Sequence, residues 1–407
     1  MGHTNAFKNV WVAIIAGGKG TRLFPLSHMD CPKQFCQLDG ENTFIQATAK
    51  RFISLGVEPE HVIILTTNNG QTQLAKDQLR SLGIIEPNIY QIQDKYGYAG
   101  AMVKANLFIA QLDKNAIVIN TPADQYIVPS KAFTETVMTA VDNAKKGNPT
   151  IMGVKVHDMV TFTGCGHALY DLKDSGVCKK VKGFKEKPKK EEAEKMMRAK
   201  NSACNTGINV WRVSTMIQAV KGIDLEQGEL ATDKFMACFE QLYLAIGSFE
   251  WHDCGTLKSL YDISAKTPNH KNASLGEGNI YRTNCRRSLF YSVKGVSIYA
   301  SNVEDAAVVV NEINNNIFIA IIAMEQCQLV KQLTNDFPVY APVLGNDFSI
   351  MARNNIIPFT NYSDEINVGL VGVSGYTISA IKKPDGEIDI IVSGKSKTSE
   401  SKEAATA

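Results

Sequence analysis

The first patterned stretch of the chain is a short, unbroken apolar run, Val10-Trp11-Val12-Ala13-Ile14-Ile15-Ala16, which stops at Gly17-Gly18. A strand covered on both faces reads this way, because neither set of alternating side chains has to meet water. Val62-Ile63-Ile64-Leu65-Thr66 and Ala116-Ile117-Val118-Ile119-Asn120 repeat the signal, and a further strand is expected over 150–156. Between these runs the apolar residues return at helical spacing. They do so over 43–53, at Leu74, Leu79 and Leu82, at Ala101, Ala105, Phe108 and Leu112, and at Phe133, Val137, Val141 and Ala144. Strand and helix alternate in this way for about 150 residues, which predicts an α/β fold with a doubly wound, Rossmann-like sheet and right-handed crossovers. Such sheets take their ligands beyond the carboxyl ends of the strands.

The pattern changes after Ser264. Thr267-Pro268-Asn269-His270-Lys271-Asn272 is polar and carries a proline, a natural boundary. From about residue 277 short β-branched runs dominate: Val296 to Tyr299, Ala307 to Val310, Ile317 to Ile319. One helical stretch is expected from Met324 to Leu333. The region reads as β-rich, in the manner of a solenoid, and Gly295-Val296-Ser297 recurs as Gly372-Val373-Ser374 without a regular period. The domains expected are therefore 1–266, 277–394 and a small, polar, disordered tail over 395–407.

At 407 residues the chain is too long for one core, which supports the split. Its 43 Lys+Arg against 41 Asp+Glu exclude a strongly basic nucleic-acid binder, and no nucleic-acid partner is expected. No apolar run has the roughly 18 residues of a membrane span, and no signal peptide is visible, so neither a membrane partner nor secretion is expected. The nine cysteines contain no C-x-x-C pair and are odd in number. They read as reduced thiols of a cytoplasmic protein, without a disulfide frame or zinc site.

The chemistry begins where the first strand ends. Gly17-Gly18-Lys19-Gly20-Thr21-Arg22-Leu23 lets backbone N–H groups approach phosphates without Cβ obstruction, and Lys19 and Arg22 add positive charge. No Gly-Lys-Ser/Thr closes the loop, so it is not a Walker A loop, and Leu23 stands where a dinucleotide fingerprint needs its third glycine. A nicotinamide-dependent dehydrogenase is excluded on that spacing. The loop suits a nucleoside triphosphate.

Phe24-Pro25-Leu26-Ser27 and Pro32-Lys33-Gln34-Phe35 follow. With them the sequence resembles the sugar-1-phosphate nucleotidyltransferases, most closely bacterial mannose-1-phosphate guanylyltransferases, whose opening Gly-Gly-x-Gly-Thr-Arg-Leu-x-Pro-Leu-Ser and Pro-Lys-Gln-Phe stand here almost unbroken. The resemblance runs in order over residues 9–262 and more weakly over 277–335. It implies the nucleotide-diphospho-sugar transferase type of mixed sheet and a C-terminal left-handed β-helix. The activity implied joins a sugar 1-phosphate to an NTP, GTP and mannose 1-phosphate above all, giving GDP-mannose and pyrophosphate. Homo-oligomerisation is expected through the β-rich part.

The same resemblance implies roles. Gly17, Gly18, Gly20 and Thr21 would cradle the NTP, and Arg22 and Lys33 would hold the departing pyrophosphate. Asp124, in Thr121-Pro122-Ala123-Asp124-Gln125, would hold Mg²⁺ together with Asp253, in Trp251-His252-Asp253-Cys254-Gly255-Thr256. Thr163-Gly164-Cys165-Gly166 matches a sugar-approach stretch, with Gly164 a contact and Cys165 in place of tyrosine. In Phe184-Lys185-Glu186-Lys187-Pro188, Glu186 would meet sugar hydroxyls and Lys187 the sugar phosphate; as neighbours on a strand they would face opposite ways. Asn205 would line the sugar pocket and Trp211 the core. Two stretches depart from the family: Lys95 to Ala101 replaces Arg-Asn-Thr-Ala-Pro-Ala near the base, and Gly228 to Asp233 replaces Ser-Ile-Asp-Tyr-Ala. The alternatives are the same chemistry with another NTP or sugar phosphate, and a catalytically inactive sensor of the same ligands.

Overall fold

The computed structural model describes residues 7, 9–20, 23–37, 42–313, 316–330, 356–363, 366–371, 373, 376–383 and 386–394. Thr21, Arg22 and the tail expected over 395–407 lie outside the described residues. The chain forms two compact units that do not follow chain order: Met1–Gly18 with Phe44–His252, and Lys19–Thr43 with Asp253–Ala407. The division thus falls at Asp253, ahead of the expected boundary at 266, and the second unit includes an early segment.

The first unit begins β1 (Val10–Ile15), α1 (Phe44–Ile53), β2 (Val62–Thr66), α2 (Asn69–Leu79), β3 (Ile89–Gln91), α3 (Gly97–Leu112), β4 (Ile117–Pro122) and β5 (Tyr126–Ile127). It continues with α4 (Lys131–Lys145), β6 (Thr150–Val154), α5 (Met159–Gly164), β7 (His167–Tyr170), β8 (Lys179–Lys185), α6 (Lys190–Ala199) and β9 (Ser202–Arg212). It closes with α7 (Val213–Ala219), α8 (Thr232–Met236), β10 (Tyr243–Gly247) and β11 (Trp251–His252). The expected strands are β1, β2, β4 and β6, and their apolar runs are buried on both faces. Helix starts carry local reasons: the side chains of Asn68 and Ser130 accept from the N–H groups of Gln71 and Phe133, satisfying first-turn donors of α2 and α4.

A nine-stranded sheet runs β3-β2-β1-β4-β9-β6-β10-β8-β7. β1 is parallel to β2 and β4, whereas β9 is antiparallel to β4 and β6. The sheet is therefore mixed, as expected. β9 itself was not legible, because its buried residues include Thr206 and Asn209 among the apolar ones. Polar groups of α3, β4 and β9 join in one buried network. Asn106 Nδ2 donates to Asn120 Oδ1 at 2.6 Å and to the Met102 carbonyl at 2.8 Å. Trp211 Nε1 donates to Asn106 Oδ1 at 2.9 Å. The side chains of Asn106, Asn120 and Trp211 are all fully buried. Trp211 is core, as expected, packed among Phe235 and Phe239.

In the second unit, α9 (Leu257–Ile263) opens with a capping box of Thr256 and Ser259. Then come β12 (Ala273–Gly276), β13 (Asn279–Thr283), β14 (Leu289–Ser292), β15 (Val296–Ser301), β16 (Ala306–Ile313) and β17 (Asn316–Ala323). A 3-10 helix over Met324–Val330 takes the place of the expected helical stretch. The described strands end with β18 (Ile356–Ser363), β19 (Ile366–Val371), β20 (Thr377–Lys382) and β21 (Ile388–Ser393). One sheet runs β12-β14-β16-β17-β19-β18 and the other β13-β15-β21-β20. Their inner faces meet through Ile298, Val308, Ile319 and Ile390, all fully buried. The early segment is built into this unit: Asn311 Nδ2 donates to the Pro25 carbonyl at 2.8 Å, and Phe24 meets Phe318 edge-on at 5.7 Å between centroids.

Candidate active site

The carboxyl edge of the parallel strands in the first unit carries the glycine-rich turn. Ala16 N donates to Leu65 O at 2.7 Å, and Ala123 N to Ile15 O at 3.0 Å, so the chain leaves β1 between the ends of β2 and β4. Gly17 and Gly18 stand there. Thr67 Oγ1 donates to the Gly17 carbonyl at 3.1 Å, and Gln71 Nε2 to that of Gly18 at 3.4 Å. A Cβ on Gly17 would lie 2.4 Å from Thr67 Cγ2, so only glycine fits. Asp124 follows β4 on the same edge, one residue past the Ala123 bond to β1.

Around Asp124 the structure adds residues that sequence reasoning did not select. Gln125 is buried and donates from Nε2 to Thr206 O at 2.5 Å. Arg51 Nη2 reaches the Gln125 carbonyl at 3.4 Å, while its Nε and Nη1 have no hydrogen-bond partner among the described residues. Burial pushes the Arg51 guanidinium down to about 10. Tyr98 donates to the Gly207 carbonyl at 2.8 Å, and desolvation, then the Asp124 carboxylate, hold its phenol well above the ordinary value. Tyr98 lies within the departing 95–101 stretch, which is the one sequence signal that pointed at it.

Beside the glycine turn a cavity of about 430 Å³ is lined by Thr67, Gln91, Ile92, Gln93, Tyr96 and Lys104. Glu226 braces this wall: it accepts from Lys95 Nζ at 2.6 Å, Tyr96 Oη at 2.8 Å and Lys104 Nζ at 3.4 Å. The Lys95 bond first, and then the Tyr96 bond, hold its carboxyl at about 2.

The expected sugar residues gather where β7, β8 and β9 pair. Asn205 N donates to the Gly166 carbonyl at 2.8 Å, and Lys187 N to that of Cys165 at 3.3 Å. One expectation is corrected here. Glu186 and Lys187 do not face opposite ways; they lie past the end of β8, Lys187 has φ +42°, and Lys187 Nζ sits 3.4 Å from Glu186 Oε1. The left-handed residue breaks the strand alternation. Gly166 has a steric role within the fold, since a Cβ there would fall 2.5 Å from Glu186 Oε2 and 2.7 Å from Phe184 Cζ, whereas the space over Gly164 is open among the described residues.

A second correction concerns sulfur. Cys165 and Cys204 are disulfide-bonded, with Cα atoms 6.2 Å apart, inside the usual span. Antiparallel pairing of β7 with β9, His167 opposite Cys204, brings them together across 39 residues, which motif spacing cannot register. The other described cysteines remain outside any disulfide. Among the described residues no helix is long and apolar enough to cross a membrane.

In the second unit Gly20 has φ +65° and presses on Lys33: its Cβ would lie 2.6 Å from Lys33 N. Lys33 begins a 3-10 turn over Lys33–Phe35, is buried, and donates from Nζ to the Asp253 carbonyl at 2.6 Å. Asp253 follows β11 and is exposed. His252 has Nε2 3.3 Å from Glu250 Oε1. Among the described residues no three or more His, Cys, Asp or Glu converge as a metal cage. Asp124 in the first unit and Asp253 in the second each carry a carboxylate, the hard oxygen donor that suits Mg²⁺.

Known proteins bear on this arrangement. The chain is 26% identical over 337 residues to mannose-1-phosphate guanylyltransferase 2 of Escherichia coli O157:H7, covering 73% of this chain and 67% of that protein. It is 24% identical over 285 residues to the alginate biosynthesis protein AlgA of Pseudomonas aeruginosa, covering 63% of this chain and 59% of that one, less than two thirds of its length. A solved structure from Thermus thermophilus, described as a mannose-1-phosphate geranyltransferase, is 22% identical and superposes with a TM-score of 0.69 over 80% of this chain and 98% of its own. That likeness establishes the mixed α/β fold. Residues 12–270, from within β1 to the start of the strand-rich region, match the nucleotidyl transferase pattern, and the chain belongs to that family.

Proposed function

We propose that this nucleotidyltransferase joins a sugar 1-phosphate to an NTP, releasing pyrophosphate, with mannose 1-phosphate and GTP as the preferred pair. The observation that carries the reading is the carboxyl edge of β1 and β4, where a glycine turn tied to Thr67 and Gln71 stands beside Asp124. The attacking sugar phosphate is already anionic, so no general base is required, and catalysis rests on alignment and charge neutralisation. Gly17 and Gly18 receive the triphosphate. Gly20 and Thr21 belong to the same NTP cradle, Arg22 and Lys33 hold the leaving pyrophosphate, and Gly20 backs onto the Lys33 backbone. Lys187 positions the nucleophilic phosphate; Glu186, Asn205 and the 164–166 turn hold the sugar. Asp124 and Asp253 would hold Mg²⁺, which when bound neutralises phosphate charge.

A second reading keeps the chemistry and changes the base. The 95–101 stretch departs from the guanylyltransferase pattern, and Gln91, Gln93, Tyr96 and Lys104 line the adjoining cavity. Pyrophosphate release with Mg²⁺, mannose 1-phosphate and each of the four NTPs separates the two. Release with GTP is the expected result; release with another NTP moves the base; silence with all four across a panel of sugar phosphates overturns the enzyme reading in favour of a sensor. Asp124→Ala, Lys33→Ala and Lys187→Ala should each lose on the order of 10²–10³ in rate without unfolding. Successive strands β12 to β16 alternate between two sheets with parallel pairing, which supports a β-helical second unit. We assign homo-oligomerisation to that unit, and a monomer mass by light scattering on the whole chain would refute it.

A further inference from the structure

The signature lysine is bracketed by sulfur. Cys31-Pro32-Lys33-Gln34-Phe35-Cys36 places one thiol at each end of the turn, and the two Sγ atoms lie 3.8 Å apart. Two features hold them there. His28 N donates to the Cys31 carbonyl at 3.1 Å, and Cys36 N to that of Lys33 at 3.0 Å. Cys36 is 5% exposed, while Cys31 is half-buried. We propose that Cys31 and Cys36 are an oxidative modification site, a dithiol that a hydroperoxide converts to a disulfide and that thereby withdraws Lys33 from its substrate. The functional half of this inference rests on the reading of Lys33 as the pyrophosphate contact.

The chemistry balances. Cys31 thiolate attacks the peroxide O–O bond, giving Cys31 sulfenic acid and releasing hydroxide or alkoxide, which takes up a proton. Cys36 sulfur then attacks the sulfenic sulfur, forming the S–S bond and releasing water. Two thiols lose two electrons to one peroxide, and a small dithiol reverses the step by exchange. The roles follow from the surroundings. A hydrogen bond from Cys36 holds the Cys31 thiol below its ordinary value, and the same bond together with burial pushes Cys36 well above it. The more acidic, more accessible sulfur is the one that meets oxidant, and the buried one resolves it.

Bond formation must bring the sulfurs from 3.8 Å to about 2.05 Å. That contraction falls across the four residues between them. Lys33 is the rigid member of the turn: Nζ is bonded to the Asp253 carbonyl, and its backbone backs directly onto Gly20. A pull on Lys33 is therefore a pull on the phosphate loop. The same segment lacks slack, since Cys36 Sγ also lies 3.5 Å from both the Leu26 and Cys31 carbonyls.

The test uses the full chain, treated with hydrogen peroxide, blocked with iodoacetamide and mapped without reduction. The expected result is a peptide linked between Cys31 and Cys36, with pyrophosphate release at least ten-fold slower and recovered by dithiothreitol. Cys31→Ser should form no link and keep its rate in peroxide. Cys36→Ala should accumulate a dimedone-reactive Cys31, which keeps the test alive if one variant folds poorly. Labelling of the Lys33 amine, compared before and after oxidation, reads the displacement without turnover. An unlinked map, or a linked enzyme with unchanged rate and unchanged Lys33 labelling, overturns the proposal. A chain inactive before oxidation refutes the functional reading alone, because the map and the labelling still decide the site.

Discussion

Replacing Asn106 by leucine tests whether the buried polar network holds the catalytic sheet together. The side chain is fully buried on α3 and joins three partners: the Met102 carbonyl, Asn120 Oδ1 and Trp211 Nε1. Leucine has similar bulk, so no cavity opens. What changes is that Asn120 Oδ1 and Trp211 Nε1 are left buried and unpaired. Each orphaned group costs about 1–3 kcal/mol, and counting three lost bonds at about 1 kcal/mol each gives a total of the same size, roughly 3 kcal/mol. For a unit of this size that is a melting-point drop of about 6–12 °C. Differential scanning calorimetry on the whole chain measures it. A drop under about 2 °C would refute the reasoning, because it would mean that the two partners find other bonds or water. Turnover should fall with stability, since α3, β4 and β9 carry Tyr98, the Asp124 edge and Asn205.

The opposite sign is expected at Arg51, whose guanidinium is buried with two nitrogens unpartnered and its pKa pushed down to about 10. A drop of that size corresponds to roughly 3 kcal/mol of penalty at neutral pH, so Arg51→Met should stabilise by about 1–3 kcal/mol in denaturant titration, and a loss of stability would show the charge is needed. Gly20→Ala places a Cβ 2.6 Å from Lys33 N at φ +65°, so pyrophosphate release should fall at least ten-fold; an unchanged rate would detach Gly20 from the site. Glu226, held at about 2 by Lys95 and Tyr96, stabilises the cavity wall fully above the ordinary carboxylate value near 4.5 and loses that contribution as pH falls toward 2. Melting curves of the parent and Glu226→Gln should therefore converge as pH is lowered from 6 to 3, and a constant gap would refute the ion pair.

The strands of the parallel half were legible because burial on both faces leaves no polar residue in the run, as in Val10 to Ala16. β9 was not, because Thr206 and Asn209 interrupt its apolar pattern; their burial is offset by partners on other elements that no local window contains. The glycine turn and Asp124 could be placed from the end of a strand alone. The Cys165–Cys204 bond, the brace of Glu226 on Lys95, and the tight approach of Gly166 to Glu186 are products of long-range pairing. Lys187 misled for a different reason: a left-handed residue resets which way side chains point, and lysine gives no warning of it.

The segment Lys19–Thr43 belongs to the second unit although it is translated before most of the first. The Pro25 carbonyl must wait for Asn311, and Phe24 for Phe318, before the loop that carries Lys33 has its final supports. Contacts so distant in sequence form late, after the entropy of loop closure has been overcome. A ribosome-bound chain ending between β11 and β16 would hold every strand of the mixed sheet and a lysine loop still without Asn311 and Phe318. The support of that loop is thereby tied to finished synthesis. Single-cut removal of the C-terminal strands would cost the lysine loop its scaffold, because Asn311 and Phe318 leave with them.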